Sequence, residues 1–301
     1  MRRLVLTLAP ILALLAGSAA QAETLLTAHP ATDALARRLA EGTGIEVTAV
    51  QPENLPPSRL HSFLAGRGRD KAEAAARDAD AVLTLGGIWP EDPLYPAARR
   101  ANIRIVEIDA TRPLDQRLPG IALLPPADDA ALYALLGLQP MPPSGEETAP
   151  WLSPTRLGEM AEITAADLAR LSPGDGARIA ENLRGLKQDL LQAKARADAG
   201  LAAQENPEAV ALSPQFGYLA ADLGLDLRAR IIAAPDEWTP ERAGKLAAWL
   251  AGQGIGTVLT ARDLPPALAQ ALAGLRVVRL RAQAPGDPAA LVAANIAELV
   301  P

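Results

Sequence analysis

The chain has 301 residues, with 35 acidic against 29 basic side chains, two histidines and no cysteine. The net charge of −6 does not suit binding to nucleic acid or to an anionic membrane. The absence of cysteine excludes disulfides and cysteine-ligated zinc, and the length suffices for one large or two medium domains stabilised by apolar burial.

The first 22 residues are typical of a secretory signal peptide. Arg2 and Arg3 precede the apolar run Leu4 to Leu15, and small residues near Ala22 predict cleavage after that residue. The apolar run is shorter than the ~20 residues that a membrane span needs, and no cysteine follows that could carry a lipid anchor. We therefore expect a mature protein exported to the periplasm, with a net charge near −8 after Arg2 and Arg3 are removed.

Residues 23 to 150 show apolar runs that alternate with helical stretches. The predicted strands are Thr24 to His29, Ile45 to Val50, Asp80 to Gly86 and Arg104 to Asp109, and the predicted helices lie near Ala31 to Glu41, Asp70 to Asp78 and Tyr95 to Ala101. This alternation predicts a parallel sheet flanked by helices. The segment from Leu124 to Pro150 is rich in proline, glycine and acidic residues, which predicts an exposed loop.

A helical connection is predicted over residues 151 to 171, and one long helix over residues 172 to 200. Ser172 is a candidate N-cap, Pro173 suits the first turn and Asp175 completes the capping pattern. Apolar residues then recur at spacings of four and three from Ile179 to Ala197. At a rise of 1.5 Å per residue such a helix spans roughly 40 Å, enough to run along two lobes.

Residues 201 to 301 repeat the alternation of the first part. The predicted strands are Ala209 to Ser213, Arg230 to Ala234, Thr257 to Ala261 and Arg276 to Leu280, and the predicted helices include Pro240 to Ala251, Pro266 to Leu275 and Pro288 to Leu299. We therefore predict an α/β fold of two lobes, each with a roughly four-stranded parallel sheet flanked by helices, bridged by one long helix. Ligands of such sheets bind at the carboxyl ends of the strands, here in the cleft between the lobes.

Several segments resemble the periplasmic zinc- and manganese-binding components of ABC importers. They are AVLTLGG at 81–87, WLSPTRLGEMA at 151–161, LARLSPGDGARIAENLRGL at 168–186 and LSPQFGYLAADLGL at 212–225. The resemblance implies the same two-lobed fold and the capture of a zinc or manganese ion as the transported ligand. It also implies delivery of this ligand to an ABC permease and its ATPase in the inner membrane.

Members of that family hold the metal with imidazole and carboxylate ligands from both lobes. The resemblance places His61 of PPSRLHSF at the first ligand position, but it places Ala149, Ser213 and Ala261 at the other three. Asp263 follows Ala261 closely enough to supply the fourth ligand instead. The remaining metal-ligand candidates are His61 and Asp263, and a site with three histidines is excluded because the chain has two.

Further residues are candidates for the ligand cleft because they lie at predicted strand ends or in the altered metal loop APWLSP. For His29 a ligand contact and a capping role beside Pro30 both fit, and for Trp151 structural support of the loop is favoured. The acidic residues of the loops, Glu91, Asp92, Asp236 and Glu237, are predicted to be solvated. The predicted cleft residues are His29, Trp89, Ala149, Trp151, Ser213 and Gln215.

Two hypotheses of function follow. In the first, the protein is a monomeric solute-binding component of an ABC importer, similar to the zinc and manganese class but with a degenerate metal site. In the second, the same fold binds a small organic ligand, a metal–chelator complex or a protein partner. The common catalytic motifs Ser-x-x-Lys, Gly-x-Ser-x-Gly and His-Glu-x-x-His are absent from the sequence, so no enzymatic activity is predicted.

Overall fold

The computed structural model describes residues 22–53, 55–115, 117–124, 129–140, 148–202, 207–283 and 286–300. The predicted signal peptide, apart from Ala22, lies outside these ranges, and it stays a prediction. Among the helices within these ranges, none combines the length and the apolar character that a membrane span requires.

The N-terminal lobe is a four-stranded parallel sheet in the order β2-β1-β3-β4. Thr27 of β1 pairs with Ala49 of β2 and with Leu83 of β3, so the strands end along one common edge. The elements are β1 (Thr24–Thr27), α1 (Pro30–Ala40), β2 (Glu46–Ala49), α2 (Leu60–Ala65), α3 (Arg69–Arg77), β3 (Ala81–Thr84), α4 (Leu94–Ala101) and β4 (Val106–Asp109).

Along the chain, three helices separate the strands of the two sheets: α5 (Ala130–Leu136), α6 (Pro154–Leu171) and α7 (Gly176–Leu201). The long helix is confirmed, since α7 continues directly from a 3₁₀ turn over Pro173–Asp175. Ser172 differs from its predicted capping role. Its hydroxyl donates to Asp175 Oδ2 at 2.8 Å instead of accepting a backbone N–H, because Asp175 also binds Gly44 N and holds the hydroxyl toward itself.

The C-terminal lobe has the same topology as the first, with strand order β6-β5-β7-β8 and all strands parallel. Two sheets of one strand order in a single chain confirm the predicted pair of similar lobes. The elements are β5 (Glu208–Ala211), α8 (Gly217–Asp222), β6 (Asp226–Arg230), α9 (Pro240–Gln253), β7 (Thr257–Thr260), α10 (Pro266–Ala271), β8 (Arg276–Arg279) and α11 (Pro288–Leu299).

Helix α7 packs against both lobes. Asn182 on α7 donates through Nδ2 to the backbone oxygens of Leu39 and Glu41 at 2.8 Å, which satisfies carbonyl groups at the end of α1. Near its other end, a Cβ on Gly200 would stand 2.2 Å from Val300 Cγ1, just beyond α11. The helix therefore contacts α1 of the N-terminal lobe and the end of α11 in the C-terminal lobe.

Three elements differ from the prediction. The strand expected at Arg230–Ala234 is β6 at Asp226–Arg230, because this edge strand alternates exposed and inward residues instead of forming an apolar run. Helix α2, Leu60–Ala65, lies where no helix or strand was predicted. The loop predicted from Leu124 to Pro150 contains α5, whose buried side chains belong to the core of the C-terminal lobe: Leu132, Tyr133 and Leu136, followed by Leu138.

Candidate functional site

The carboxyl ends of the strands place the candidate residues on facing edges of the two sheets. In the N-terminal lobe His29 follows β1 and Trp89 follows β3, while in the C-terminal lobe Ser213 follows β5 and Asp263 follows β7. Ligands of parallel α/β sheets bind at such edges. The fold therefore places these four residues after the carboxyl ends of strands in their two sheets.

His29 is a buried N-cap of α1. Its Nδ1 accepts a hydrogen bond from Ala31 N at 3.1 Å, so the ring proton of the neutral imidazole lies on Nε2. The residue is 1% exposed, and burial lowers the pKa of His29 to about 3. Nε2 has no hydrogen-bond partner among the described residues. The capping role is confirmed, and the ligand contact stays a prediction.

Two tryptophans enclose His29. Its ring centroid lies 4.7 Å from that of Trp151 and 6.4 Å from that of Trp89, in tilted and edge-on arrangements. Trp151 Nε1 donates to the backbone oxygen of Ala282 at 3.1 Å, just after β8. The aromatic cluster of His29, Trp89 and Trp151 thus connects the segments that follow β1 and β3 with the segment that follows β8.

Ala149, the second predicted ligand position, has a strained backbone. Its φ of 45° and ψ of 55° are left-handed, and it is the one non-glycine residue with positive φ in the described part of the chain. The residue is fully buried and precedes the 3₁₀ turn Pro150–Leu152. Strain of this kind persists where the surrounding structure imposes it, and it is common at functional sites.

The third and fourth ligand positions contact each other. Ser213 is 1% exposed, and its Oγ accepts a hydrogen bond from Ala261 N at 2.9 Å. The neighbouring Gln215 has a buried side-chain oxygen, Oε1, that lacks a partner among the described residues. The structure therefore brings Ser213 and Ala261 together, as the resemblance implied, but joins them by a protein hydrogen bond.

Ser153, in the altered metal loop, caps α6. Its Oγ accepts from Arg156 N at 3.0 Å and donates to Asp222 Oδ2 at 2.6 Å. Asp222, at the end of α8, also accepts from Thr155 N at 2.8 Å and from Thr155 Oγ1 at 2.7 Å. A carboxylate of the C-terminal lobe thus lies at the N-terminus of α6, where the helix dipole favours negative charge.

The two predicted metal ligands lie in different surroundings. His61 is exposed on α2 and lines a groove of N-terminal residues with Glu91, while Asp263 Oδ1 accepts from Arg279 Nη1 at 2.7 Å on the opposite lobe. Within the described ranges, no group of three or more His, Asp or Glu side chains could hold a metal ion. The metal-binding roles of His61 and Asp263 stay predictions.

The prediction that Asp92 is solvated was wrong. It is 8% exposed and accepts hydrogen bonds from Leu85 N and Leu94 N, both at 3.0 Å. Burial, followed by the nearby carboxylates of Glu107 and Asp109, raises the pKa of Asp92 to about 6. Sequence analysis also missed Glu107 and Asp109, although two acidic residues at the end of the apolar strand RIVEID were a visible signal.

The sequence matches the family model of the zinc-uptake complex component A periplasmic proteins (ZnuA) over residues 69–288. The chain belongs to the ZnuA family. This match covers most of the chain, so it includes the β3 edge, the altered metal loop, the long helix and β5 to β8. The resemblance identified from the local segments is confirmed.

Solved structures show the same fold as this ZnuA-family chain. A mutant of FpvC from Pseudomonas aeruginosa is 19% identical in sequence, with a TM-score of 0.68. The match covers 92% of this chain and 97% of the FpvC chain. A ZnuA crystal structure is 18% identical with a TM-score of 0.66 over 92% and 98% of the chains. The Zn(II)-bound ZnuA-like domain of Streptococcus pneumoniae AdcA is 18% identical with a TM-score of 0.63 over 93% and 97%. No curated protein sequence matches this chain.

Proposed function

We propose that the protein captures a solute in the cleft between its lobes, outside the cytoplasm, and delivers it to the permease and ATPase of an ABC importer. Membership of the ZnuA family, whose members are described as periplasmic, supports this role. The two sheets of one topology, joined by α7, support a cleft as the binding place. The protein acts as a carrier and not as an enzyme, and we expect it to be monomeric.

We further propose that the cargo is not a bare zinc ion held by imidazoles. Ser213 and Ala261 carry this proposal, because neither supplies an imidazole or a carboxylate at its family ligand position, and Ser213 Oγ already accepts a hydrogen bond from Ala261 N. Ala149 offers no ligand atom at another, so His61 would be a lone imidazole. Zinc sites need about four N, S or O ligands at ~2.0–2.3 Å. The cargo therefore brings its own polar atoms, as a chelated metal or a small organic molecule.

Unpartnered polar atoms at the strand ends support recognition of such a cargo. His29 Nε2 after β1, Gln51 Oε1 after β2 and Gln215 Oε1 after β5 are buried and receive or donate no hydrogen bond among the described residues. Leaving polar atoms unpaired costs about 1–3 kcal/mol each, a cost that a ligand with matching groups removes. A neutral imidazole offers a donor at Nε2, and the two glutamines offer acceptors.

Native mass spectrometry of the purified mature protein tests the proposal directly. We expect an organic mass, with or without a metal, to accompany the chain and to be lost on unfolding. Gln215→Ala should reduce the retained mass, while Gln253→Ala, at the distant end of α9, serves as the matched control. Sub-micromolar zinc binding by the metal-free protein that disappears in His61→Ala would contradict the proposal.

A further inference from the structure

Gly86 and Gly87 follow β3 beside the end of β4, and side-chain oxygens surround Gly86. The position where a Cβ would stand on Gly86 lies 3.4 Å from Asp109 Oδ2, 3.5 Å from Glu107 Oε1 and 3.8 Å from Thr84 Oγ1. Apart from atoms of the adjoining residues, these are the three nearest heavy atoms, and all three are oxygens. The missing side chain at residue 86 therefore leaves a space bordered by oxygen atoms.

The strand register explains why these oxygens converge. Glu107 and Asp109 are two residues apart on β4, so both side chains lie on the same face of the sheet. Thr84 pairs with Asp109 across the two strands, and its hydroxyl donates to Glu107 Oε1 at 2.9 Å. The Thr84 hydroxyl then retains lone pairs that can bind a cation.

One oxygen of this group is buried without a hydrogen bond. Asp109 is 5% exposed, and its Oδ1 accepts from Thr111 N and Thr111 Oγ1 at 2.9 Å and 2.6 Å. Its Oδ2, the atom nearest to the Gly86 space, accepts no hydrogen bond from any described residue. A buried carboxylate oxygen left unpaired is costly, which points to a ligand for it.

The protein does not neutralise the charge of this group. Among the described residues, Arg112 is the one cation paired with these carboxylates. Its Nε lies 3.7 Å from Asp109 Oδ2, but its side chain is 72% exposed, and such exposed pairs contribute little. Glu107 forms no ion pair with another described residue. The carboxyl of Asp92 lies nearby, and its pKa is raised to about 6, mainly by burial and to a smaller extent by Glu107 and Asp109. Asp167 on α6 is paired with Arg170.

We propose that Thr84, Glu107 and Asp109 form a binding site for a hard divalent cation, such as Mn²⁺ or Ca²⁺, in the space over Gly86. Carboxylate and hydroxyl oxygens are ligands that these cations prefer. With three protein ligands and water completing the shell, we expect a dissociation constant of roughly 10⁻⁵ to 10⁻³ M. The site lies on the β3–β4 edge and uses none of the family ligand positions, so it goes beyond the proposed capture of a solute.

Titration of the full-length mature protein with Mn²⁺, followed by the electron paramagnetic resonance signal of the free ion, tests this site. We expect one bound Mn²⁺ per chain, and binding at least ~10-fold weaker in Glu107→Gln and in Asp109→Asn. Gly86→Ala should weaken binding as well, because its methyl group fills the space at ordinary contact distances without removing a carboxylate. Circular dichroism checks that each variant is folded.

Two further variants separate a defined site from general attraction to a negative surface. Arg112→Gln removes the competing cation and should strengthen Mn²⁺ binding several-fold. Glu46→Gln removes an exposed carboxylate from the opposite end of the same sheet and should leave binding unchanged. The absence of bound Mn²⁺ at millimolar concentration, or binding unaffected by both Gly86→Ala and Glu107→Gln, would overturn the proposal. Cargo retention in native mass spectra is a separate readout, so either proposal can fail alone.

Discussion

Trp151 Nε1 donates to the backbone oxygen of Ala282 at 3.1 Å, and the same indole packs against His29 at a ring-centroid distance of 4.7 Å. One side chain therefore contacts His29, two residues after β1 in one lobe, and Ala282, three residues after β8 in the other. Large relative movement of the lobes would have to break or shift these contacts, so we expect the cleft to open little.

Trp151→Phe removes the hydrogen bond to Ala282 and keeps most of the ring packing. We expect it to lower the free energy of unfolding by about 1 kcal/mol, the usual net value of one hydrogen bond, while Trp151→Ala should cost about 3–5 kcal/mol. Urea unfolding followed by circular dichroism measures both. Trp249→Phe, on α9, is the matched control. Equal stability of Trp151→Phe and the wild type would show that the bond contributes nothing.

Asp222 holds the start of α6 against α8 through three hydrogen bonds, from Ser153 Oγ, Thr155 N and Thr155 Oγ1. Asp222→Ala leaves the fully buried Ser153 hydroxyl without its acceptor and removes the charge at the helix N-terminus. We expect a loss of about 2 kcal/mol in unfolding free energy. Asp226 lies nearby, and its side chain is 54% exposed. The control variant Asp226→Ala should therefore have an unfolding free energy within about 0.5 kcal/mol of the wild type in the same urea titration.

His29 and Asp92 should contribute opposite slopes to the pH dependence of stability. Burial lowers the pKa of His29 from 6.5 to about 3, so between these values the unfolded state binds the extra proton and stability rises with pH. Burial raises the pKa of Asp92 from 3.8 to about 6, so between these values the folded state binds the extra proton and stability falls with pH. Each slope is about 1.4 kcal/mol per pH unit, and the two offset each other between roughly pH 4 and 6.

Single substitutions should expose these slopes. Relative to the wild type, Asp92→Asn should gain stability as pH rises from 4.5 to 5.5, by about 1.4 kcal/mol, while His29→Asn should lose a similar amount. Urea unfolding at the two pH values measures the change of slope, which does not depend on the absolute stability of either variant. Parallel pH profiles for wild type and both variants would contradict the burial of these groups.

Restoring imidazoles should restore a zinc site if the family positions still converge. The double variant Ala149→His/Ser213→His adds two ligands to His61, and we expect zinc affinity to rise at least ~100-fold. Calorimetry measures the affinity, and adding His61→Ala to the double variant should abolish the gain. No gain in the double variant would show that His61 does not face Ala149 and Ser213.

The repeated alternation of strands and helices was enough to predict both sheets, because parallel βα units leave a strong local pattern. Most strand positions, such as Thr257–Thr260 for β7, follow the apolar runs closely. The edge strand β6 was misplaced since Ile231 and Ile232 extend an apolar run beyond the ladder. Helix α5 was missed because it is only seven residues long and lies between two segments rich in proline and acidic residues.

The candidate site was predictable only in part. The resemblance placed Ser213 and Ala261 near each other, and the structure shows them hydrogen-bonded. The sequence around Asp92 does not show which distant residues cover it. Asp92 was therefore predicted to be a solvated loop residue, although it is buried. The oxygen atoms around Gly86 come together because of the register between β3 and β4. The sequence of a single strand does not determine that register.

The packing of α5 has a practical consequence for dissecting the molecule. Leu132, Tyr133, Leu136 and Leu138 precede α6 and α7 in the chain, yet they pack in one core with residues of β5, β6, β7, α9 and α10. Tyr133 also accepts a hydrogen bond from Ile232 N at 2.7 Å through its hydroxyl group. A fragment that starts after α7 would expose the apolar surface these side chains cover, so we expect it to aggregate instead of folding as an independent unit.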